Sequence, residues 1–263
     1  MFSKRMLTKA GFLLLLTLFL PRALWAQLPA GEILNKVSET YKSVQNYQFV
    51  AEKNVEVAAV GDARSLDGSR TSSNFNQFSN FEVALAATSA GKSRLSLKDQ
   101  KQQTIVVNDA SKTWTFLPAK KQFTEEPSGP PNVVSPTPDK VKSGVDLLIE
   151  YQNLLVNRFR SLSDYTASAT LGKDERVKLG GEKRDCYHVR IQVGSGYHEL
   201  WIDKESFLVL RNKDVTPTPQ EGISLQTTVT VNLRTADRNP TFADDFFAFT
   251  PPEAARKVDS LKF

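Results

Sequence analysis

The sequence predicts a mainly β protein with a minor helical part (α+β), built as an unclosed antiparallel β half-barrel with helices covering its concave face. Apolar and polar residues alternate with a period of two in most segments between residues 47 and 233, as they do in strands with one buried face. Just two segments have the helical period. A large sheet of this kind curls, and so few helices suit the covering of its concave face.

The first predicted element is a helix from Pro29 to Val44. Its apolar residues recur at helical spacing, and Glu32 lies in the first turn, where an acidic side chain is favourable. These apolar residues are Ile33, Leu34, Val37, Tyr41 and Val44. From Tyr47 to Val57 the pattern changes to a period of two, which predicts a long first strand.

Further alternating segments predict a run of strands after the first one. Two of them bracket the polar turn Asn108-Asp109-Ala110-Ser111, which is typical of a β-hairpin. The segments cover residues 71–78, 81–87, 94–97, 104–107 and 113–117. Short turns between consecutive strands favour an antiparallel sheet.

Residues 127–138 interrupt this run of strands. They contain five prolines and one glycine, a composition that excludes a central strand or a helix interior, so we expect a mobile loop. A second helix is predicted from Asp139 to about Leu162. Its apolar side carries Val141, Val145, Leu148, Ile149, Leu155 and Phe159.

The last third of the chain again predicts strands. Gly194-Ser195-Gly196 marks a turn between the segments 187–193 and 197–203, and residues 207–213 follow. From Ile223 to Arg234 the apolar side chains fall on one side and the polar ones on the other, as an antiparallel sheet with one solvated face allows.

Three phenylalanines lie close together near the C-terminus. We expect Phe246, Phe247 and Phe249 to belong to an aromatic strand that lines or seals the apolar side of the sheet. Pro251-Pro252 follows at once, and neither proline donates a backbone hydrogen bond to a neighbouring strand. The two prolines are therefore expected to end the strand.

The first 26 residues have the layout of a Sec export signal. Lys4, Arg5 and Lys9 precede a short apolar run from Gly11 to Leu20, and Ala26 offers a cleavage site. The run is shorter than the about 20 residues that a membrane span needs. We expect cleavage of residues 1–26, a single domain over residues 27–263 and a periplasmic location; the alternative is an uncleaved N-terminal anchor.

The charge balance argues against a nucleic-acid-binding protein. The chain carries 34 Lys+Arg and 29 Asp+Glu, but four of the basic residues lie in the predicted signal, and 34 − 4 leaves 30 against 29. Nucleic-acid surfaces need a clustered excess of positive charge.

Cys186 is the single cysteine, so no internal disulfide forms, and we expect it to be buried and inert. Gln27 stands where a lipid-anchored protein has a cysteine, which predicts a soluble mature chain that does not span a membrane.

The sequence carries no pattern that predicts catalysis, a metal or a cofactor. Gly91-Lys92-Ser93 lacks the earlier glycine of a phosphate-binding loop, and a strand rather than a helix follows it. Cys186, His188 and His198 are the candidate metal ligands. On the predicted hairpin His198 faces Gln192, which places the two histidines about 13 Å apart, too far for one zinc ion. We therefore expect a protein that is not an enzyme.

Several short segments resemble the LolA-type periplasmic lipoprotein carriers and their relatives. The C-terminal one reads Phe247-Ala248-Phe249-Thr250-Pro251-Pro252, and the one that follows the first helix reads Val44-Gln45-Asn46-Tyr47-Gln48-Phe49. Residues 104–109 with 113–118, and residues 197–211, resemble two hairpins of the same proteins. These segments span most of the chain, and their order and spacing are those of the LolA-type carriers. The chain is therefore similar to the LolA-like superfamily.

The resemblance implies a half-barrel whose hydrophobic cavity takes the acyl chains of lipids or lipoproteins. We expect a carrier for transport or sorting to the outer membrane, with transfer partners at the inner or outer membrane. The alternative is an envelope-stress sensor or a protein-interaction module on the same fold. The residues expected to line the cavity are Tyr47, Phe49, Leu95, Leu97, Trp114, Phe116, Leu148, Trp201, Val229, Phe247 and Phe249.

Overall fold

The computed structural model describes residues 28–60, 63–64, 70–71, 76–128, 143–220 and 223–261. The predicted export signal lies outside these ranges, as do residues 129–138 of the predicted proline-rich loop and the first residues of the predicted second helix. Within the described ranges, no helix has the length and apolar character needed to cross a membrane.

The described residues form two α-helices, two 3₁₀ segments and fifteen strands. The helices are α1 (Ala30–Ser43) and α2 (Gly144–Leu155), and the 3₁₀ segments are Pro118–Lys120 and Asn157–Ser168. The strands are β1 (Tyr47–Val60), β2 (Ala63–Arg64), β3 (Arg70–Thr71), β4 (Asn76–Ala87), β5 (Ser93–Lys98), β6 (Gln103–Asn108), β7 (Lys112–Leu117), β8 (Gln122–Pro127), β9 (Ala169–Leu171), β10 (Glu175–Leu179), β11 (Glu182–Val193), β12 (Gly196–Asp203), β13 (Val209–Gln220), β14 (Ile223–Arg238) and β15 (Arg256–Lys257).

Thirteen of these strands form one sheet, in the order β10-β11-β12-β13-β14-β1-β4-β5-β6-β7-β8-β15, with β9 also paired to β11. All pairs in it are antiparallel except that of β15 with β8. Among the described residues the end strands β10 and β15 do not pair with each other, so the sheet stays open. The predicted unclosed antiparallel half-barrel is confirmed.

A β-bulge lies at the centre of the sheet, where β1 meets β14. Val50 pairs with Thr235 and Ala51 with Leu233, so Arg234 is an extra residue in β14. A bulge bends its strand and increases the local twist. The bulge therefore contributes to the curl of the sheet at the point where β1, the strand next to α1 in the chain, begins.

The helices pack on one side of this sheet, which we call the inner face; the opposite side is the outer face. α1 buries Ile33, Leu34 and Val37 completely. The hydroxyl of the buried Tyr41 accepts a hydrogen bond from the Val209 N–H (3.2 Å) of β13, and its ring lies 4.9 Å from that of Phe159. α1 is thus joined both to the sheet and to the 3₁₀ segment Asn157–Ser168.

Two predictions about the bounds of elements and one about strand register are wrong. Residues 76–87 form one continuous strand rather than parts of two, since they pair without interruption with β1. The second helix does not run to Leu162: α2 ends at Leu155, and a 3₁₀ segment with non-helical dihedral angles at Ser161 continues the chain. In the histidine hairpin, His198 pairs with Ile191 rather than Gln192, because Gly196 already belongs to β12.

Candidate functional site

The start of α2 is fixed tightly to the inner face. Ser143 caps the helix: its side chain accepts a hydrogen bond from the Asp146 N–H (3.2 Å), and the Asp146 carboxylate accepts one from the Ser143 N–H (3.1 Å). Glu126 at the end of β8 accepts a further bond from the Val145 N–H (3.1 Å). Gly144 packs so closely that a Cβ there would overlap Thr115 Oγ1 of β7.

A packed core fills the space between α2 and the middle of the sheet. Phe49 of β1, Leu85 of β4 and Leu95 of β5 are at most 1% exposed, and Leu148 of α2 is 3% exposed. The three strand residues occupy inner-face positions of neighbouring strands, since Phe49 pairs with Leu85 and Leu85 with Leu95. Side-chain packing therefore leaves open space beside α2 and near its C-terminal end rather than directly beneath it.

An apolar opening of about 270 Å³ lies beside the middle of α2. We use the name apolar opening for the space between Phe81, Leu97, Leu147 and Tyr151, with Lys53 and Glu150 at its side. Asp99, Gln102 and Thr104 complete its rim. Its volume is close to the lower end of that of small-molecule sites, about 300 Å³.

Lys53 joins β1 to α2 beside the apolar opening. Its ammonium lies 3.1 Å from Glu150 Oε1, donates to Tyr151 Oη at 3.3 Å and lies 4.7 Å from the centre of the Tyr151 ring. The Lys53 side chain is 12% exposed. Because a charge with so little solvent needs a partner, this bridge holds α2 against the sheet where the apolar opening begins.

A second opening, of about 470 Å³, lies near the C-terminal end of α2. We call it the cationic pocket, because Lys42, Lys92 and Arg160 contribute to its walls. Its other residues are neutral: Val44, Gln45, Tyr47, Ala87, Thr88, Ser89, Gly91, Gln152 and Asn157. Burial raises the pKa of Tyr47 to about 12, against the opposing charge of Arg160, so the phenol is neutral at ordinary pH.

A charged cluster lies under the 3₁₀ segment on the inner face. Asp214 of β13 is hydrogen-bonded to His198 Nδ1 (2.7 Å) and accepts a bond from Arg158 Nη1 (2.6 Å). Burial of Asp214 raises its pKa, but the His198 hydrogen bond and the Arg158 charge outweigh this effect, so the pKa is lowered. The cluster borders a small cavity of about 100 Å³.

A comparison with families of known proteins gives one match that covers most of the chain. The model of a family described as "Predicted periplasmic protein (DUF2092)" matches residues 30–261. The chain belongs to this family. The periplasmic location predicted from the N-terminal segment is confirmed by the family description. Among proteins of curated function, none matches the chain.

Several solved structures are similar to this DUF2092 protein. An uncharacterized conserved protein from Thermus thermophilus has 13% identity and a TM-score of 0.43, with 87% of this chain and 98% of that chain covered. A chain in the MucA/MucB complex of Pseudomonas aeruginosa has 14% identity and a TM-score of 0.40, with 84% of this chain and 61% of that chain covered.

A LolA superfamily protein from Nitrosomonas europaea has 10% identity and a TM-score of 0.27, with 85% of this chain and 99% of that chain covered. The superfamily that the sequence resembles is therefore represented among the matched structures. All three TM-scores lie below 0.5, so nothing about ligands or partners transfers from these proteins to the DUF2092 chain by likeness.

Six of the eleven predicted cavity residues lie on the inner face or, in the case of Leu148, in the helix that packs on it. They are Tyr47, Phe49, Leu95, Leu97, Leu148 and Val229. Leu97 borders the apolar opening and Tyr47 the cationic pocket, whereas Phe49, Leu95 and Leu148 are packed between the two. Val229 is half-buried and pairs with Val55.

The other five predicted residues lie on the outer face or in the segment that packs there. Trp114 and Phe116 alternate with Thr115, which lies against α2, so they point away from the helices. Phe249 lies 5.9 Å from Trp114 and 5.8 Å from Phe116 between ring centres. Trp201 lies on the same outer side, stacked on His188 at 4.6 Å.

Phe247 is the fifth of these residues, and it shows that the expected aromatic strand is wrong. Residues 244–247 form a turn rather than a strand. The rings of Phe242, Phe246 and Phe247 lie 4.9 Å from one another, and Arg94 of β5 donates to the Phe246 carbonyl (3.0 Å). This segment covers the outer face of β5 to β8, and the chain then pairs with β8 through β15.

The histidines do not converge on a common point. His198 pairs with Ile191 and binds Asp214 on the inner face, whereas His188 stacks on Trp201 on the outer face. In the part of the chain that the structure describes, no group of three metal-ligating side chains is close enough to hold an ion. Cys186 is buried, and burial together with the nearby Asp203 raises its pKa to about 12.

Sequence reasoning missed most residues around the apolar opening. Leu147 and Tyr151 lie at helical spacing with Leu148 and Leu155, so the helical period identifies them once the start of α2 is known. Lys53 and Glu150 carry no such signal, because a charged side chain in a strand or a helix normally faces solvent. Their pairing depends on the packing of α2 over β1.

Proposed function

We propose that this DUF2092 protein is a periplasmic carrier that binds acyl chains of lipids or lipoproteins between α2 and the inner face of the sheet. The observation that carries the proposal is the apolar opening beside α2. Phe81, Leu97, Leu147 and Tyr151 offer apolar surface there, and about 0.8 kcal/mol is gained for each methylene that is buried.

A row of apolar side chains extends the apolar opening along the inner face. Val55 and Val57 of β1, together with Leu225 and Val229 of β14, alternate towards the same side as Lys53 and are half-buried. An acyl chain inserted beside α2 would find further apolar surface along these strands. This row supports a ligand longer than the apolar opening itself.

Loading and release would require α2 to move away from β1. The Lys53–Glu150 bridge, at 3.1 Å, joins the helix to the sheet next to the apolar opening. A carbodiimide activates the Glu150 carboxylate, and attack by the Lys53 amine forms an amide and releases the carbodiimide as a urea; this bond would lock α2 in place. We expect the treated protein to exchange a bound acyl ligand more slowly, and the Glu150→Gln variant to show no such slowing. Equal exchange rates in treated and untreated protein would exclude α2 as the moving part.

Native mass spectrometry of the protein purified from periplasm without detergent tests the carrier function. We expect a discrete added mass that is extracted as a lipid or an acylated peptide, which would also identify the cargo for sorting to the outer membrane. A clean ligand-free mass, in a protein that also fails to bind added fatty acyl ligands, would overturn the proposal. The interaction module would then be the better assignment for the fold.

A further inference from the structure

The cationic pocket has an unbalanced charge. Of the described residues that line it, Lys42, Lys92 and Arg160 are basic and none is acidic. No carboxylate of the described ranges forms an ion pair with these three cations. Asp109, whose carboxylate interacts with the charge of Lys92, accepts bonds from the N–H groups of Ser111 (2.8 Å) and Lys112 (2.9 Å) in its own turn.

Arg160 is held in place by the main chain. Its Nε donates to the Tyr41 carbonyl (3.3 Å) and its Nη2 to the Val44 carbonyl (3.5 Å), both at the end of α1. These neutral acceptors orient the guanidinium without cancelling its charge. The guanidinium has five N–H donors, so donors remain for a ligand in the cationic pocket.

Neutral hydrogen-bonding groups complete the cationic pocket. The amides of Gln45, Gln152 and Asn157 line it, and the Thr88 hydroxyl is buried without a hydrogen-bond partner among the described residues. A buried hydroxyl without a partner is unusual in a folded protein. A polar ligand with several acceptor oxygens would accept hydrogen bonds from the side-chain amides and balance the three cations.

We propose that the cationic pocket binds a phosphate group. Phosphate presents several acceptor oxygens, and Arg and Lys bind it as a bidentate fork and as a point charge respectively. A carboxylate, with two oxygens, has fewer acceptors for a site with three cations. The phosphate has two possible sources: the headgroup of an amphiphile, which rests on the proposed acyl-binding function, or free phosphate, which does not.

Calorimetric titration of the delipidated protein with three probes tests the inference. Dodecyl phosphate carries both groups, dodecyl maltoside carries the same chain with a neutral headgroup, and inorganic phosphate carries no chain. The double variant Lys42→Gln/Lys92→Gln removes two charges from the exposed rim of the cationic pocket. Lys178→Gln/Lys183→Gln is the matched control, because these exposed lysines pair across β10 and β11, away from the cationic pocket.

We expect the Lys42/Lys92 variant to bind a phosphate-bearing probe about tenfold more weakly than the wild type, a loss of roughly 1.4 kcal/mol, and the control variant to bind it as the wild type does. Tighter binding of dodecyl phosphate than of inorganic phosphate would assign an amphiphile headgroup. Equal affinities for the two would assign free phosphate.

Two results would overturn the phosphate site: no binding of either phosphate probe, or equal affinities in the wild type and the Lys42/Lys92 variant. The proposed acyl-binding function fails separately, if neither dodecyl probe binds more tightly than inorganic phosphate. Thermal unfolding of both variants checks that they are folded. The expected salt dependence of phosphate binding gives a second readout that does not depend on mutation.

Discussion

Asp214 illustrates how a single carboxylate connects three elements of the inner face. It lies on β13, is 16% exposed, and binds both Arg158 of the 3₁₀ segment and His198 of β12. Charge-assisted hydrogen bonds of this kind are stronger than neutral ones, and the loss of Asp214 would leave Arg158 and His198, both partly buried, without this acceptor. The 3₁₀ segment is therefore held to the sheet by a polar contact as well as by the ring contact between Tyr41 and Phe159.

We expect Asp214→Asn to lower the free energy of unfolding by about 2 kcal/mol at pH 7. Because the folded pKa of Asp214 is lowered, its stabilisation is fully present above the unfolded pKa near 3.9 and is lost as the pH falls through the folded pKa. The difference between variant and wild type should therefore narrow below about pH 4. Urea unfolding across this range measures it.

The exposed Asp237 provides the control for that experiment. Asp237→Asn should change the free energy of unfolding by no more than about 0.5 kcal/mol at any pH, as surface substitutions usually do. A constant difference between Asp214→Asn and the wild type from pH 7 to pH 2 would contradict the assignment of the effect to the ionised carboxylate.

At the scale of elements, the position of α2 depends on a glycine rather than on its apolar stripe alone. A Cβ at residue 144 would overlap Thr115 Oγ1, and it would lie 3.1 Å from both Glu126 Oε1 and Val106 Cγ1. The first turn of the helix thus approaches β6, β7 and β8 as closely as a backbone can. This approach sets the distance between α2 and the sheet and, with it, the shape of the apolar opening.

We expect Gly144→Ala to destabilise the protein by about 1–3 kcal/mol, the usual cost of overpacking, although alanine favours a helix more than glycine does. The Thr115→Ala change removes the overlapping oxygen, which is buried without a partner among the described residues. The double variant should therefore regain part of the loss. Thermal unfolding of the two single variants and the double variant measures this coupling; simple additivity would contradict the close contact.

The elements themselves were largely predictable, because alternation and helical spacing are local signals. α1 and the strands β1, β5, β6, β7 and β14 begin and end near the predicted residues. The end of the chain was not predictable in this way. Phe246 and Phe247 are adjacent, so in a strand their rings would point to opposite faces; in the turn both rings join Phe242. That arrangement depends on contact with Arg94, about 150 residues earlier.

At the scale of the whole molecule, the sheet separates two groups of apolar side chains. The inner face meets the helices and borders both openings, whereas the outer face of β7 and β8 is covered by Phe249. Sequence alternation shows that two faces exist, but it does not show which face the helices cover. For this reason Trp114 and Leu97 were predicted to line one cavity, although they lie on opposite sides of the sheet.

We expect Phe249→Ala to lower the free energy of unfolding by about 2 kcal/mol, less than the 3–5 kcal/mol of a fully buried ring, because Phe249 is half-buried. It should leave the affinity for a dodecyl ligand unchanged, since the ring lies on the outer face. Phe78→Ala, at a ring that is 65% exposed, is the control for stability. A loss of ligand affinity in Phe249→Ala would place the acyl chain on the outer face instead.

The complementary change is Leu97→Trp, which fills the apolar opening from the sheet side. Leu97 is half-buried at the border of this space, so a larger ring should be accommodated with a small change in stability while it excludes about two methylenes of a bound chain. At about 0.8 kcal/mol for each methylene, the affinity for dodecyl maltoside should fall by roughly tenfold. Leu97→Met conserves volume and should bind as the wild type does. If Leu97→Trp binds the dodecyl chain as tightly as Leu97→Met, the apolar opening is not where the chain lies, and the half-buried row along β1 and β14 becomes the surface to test.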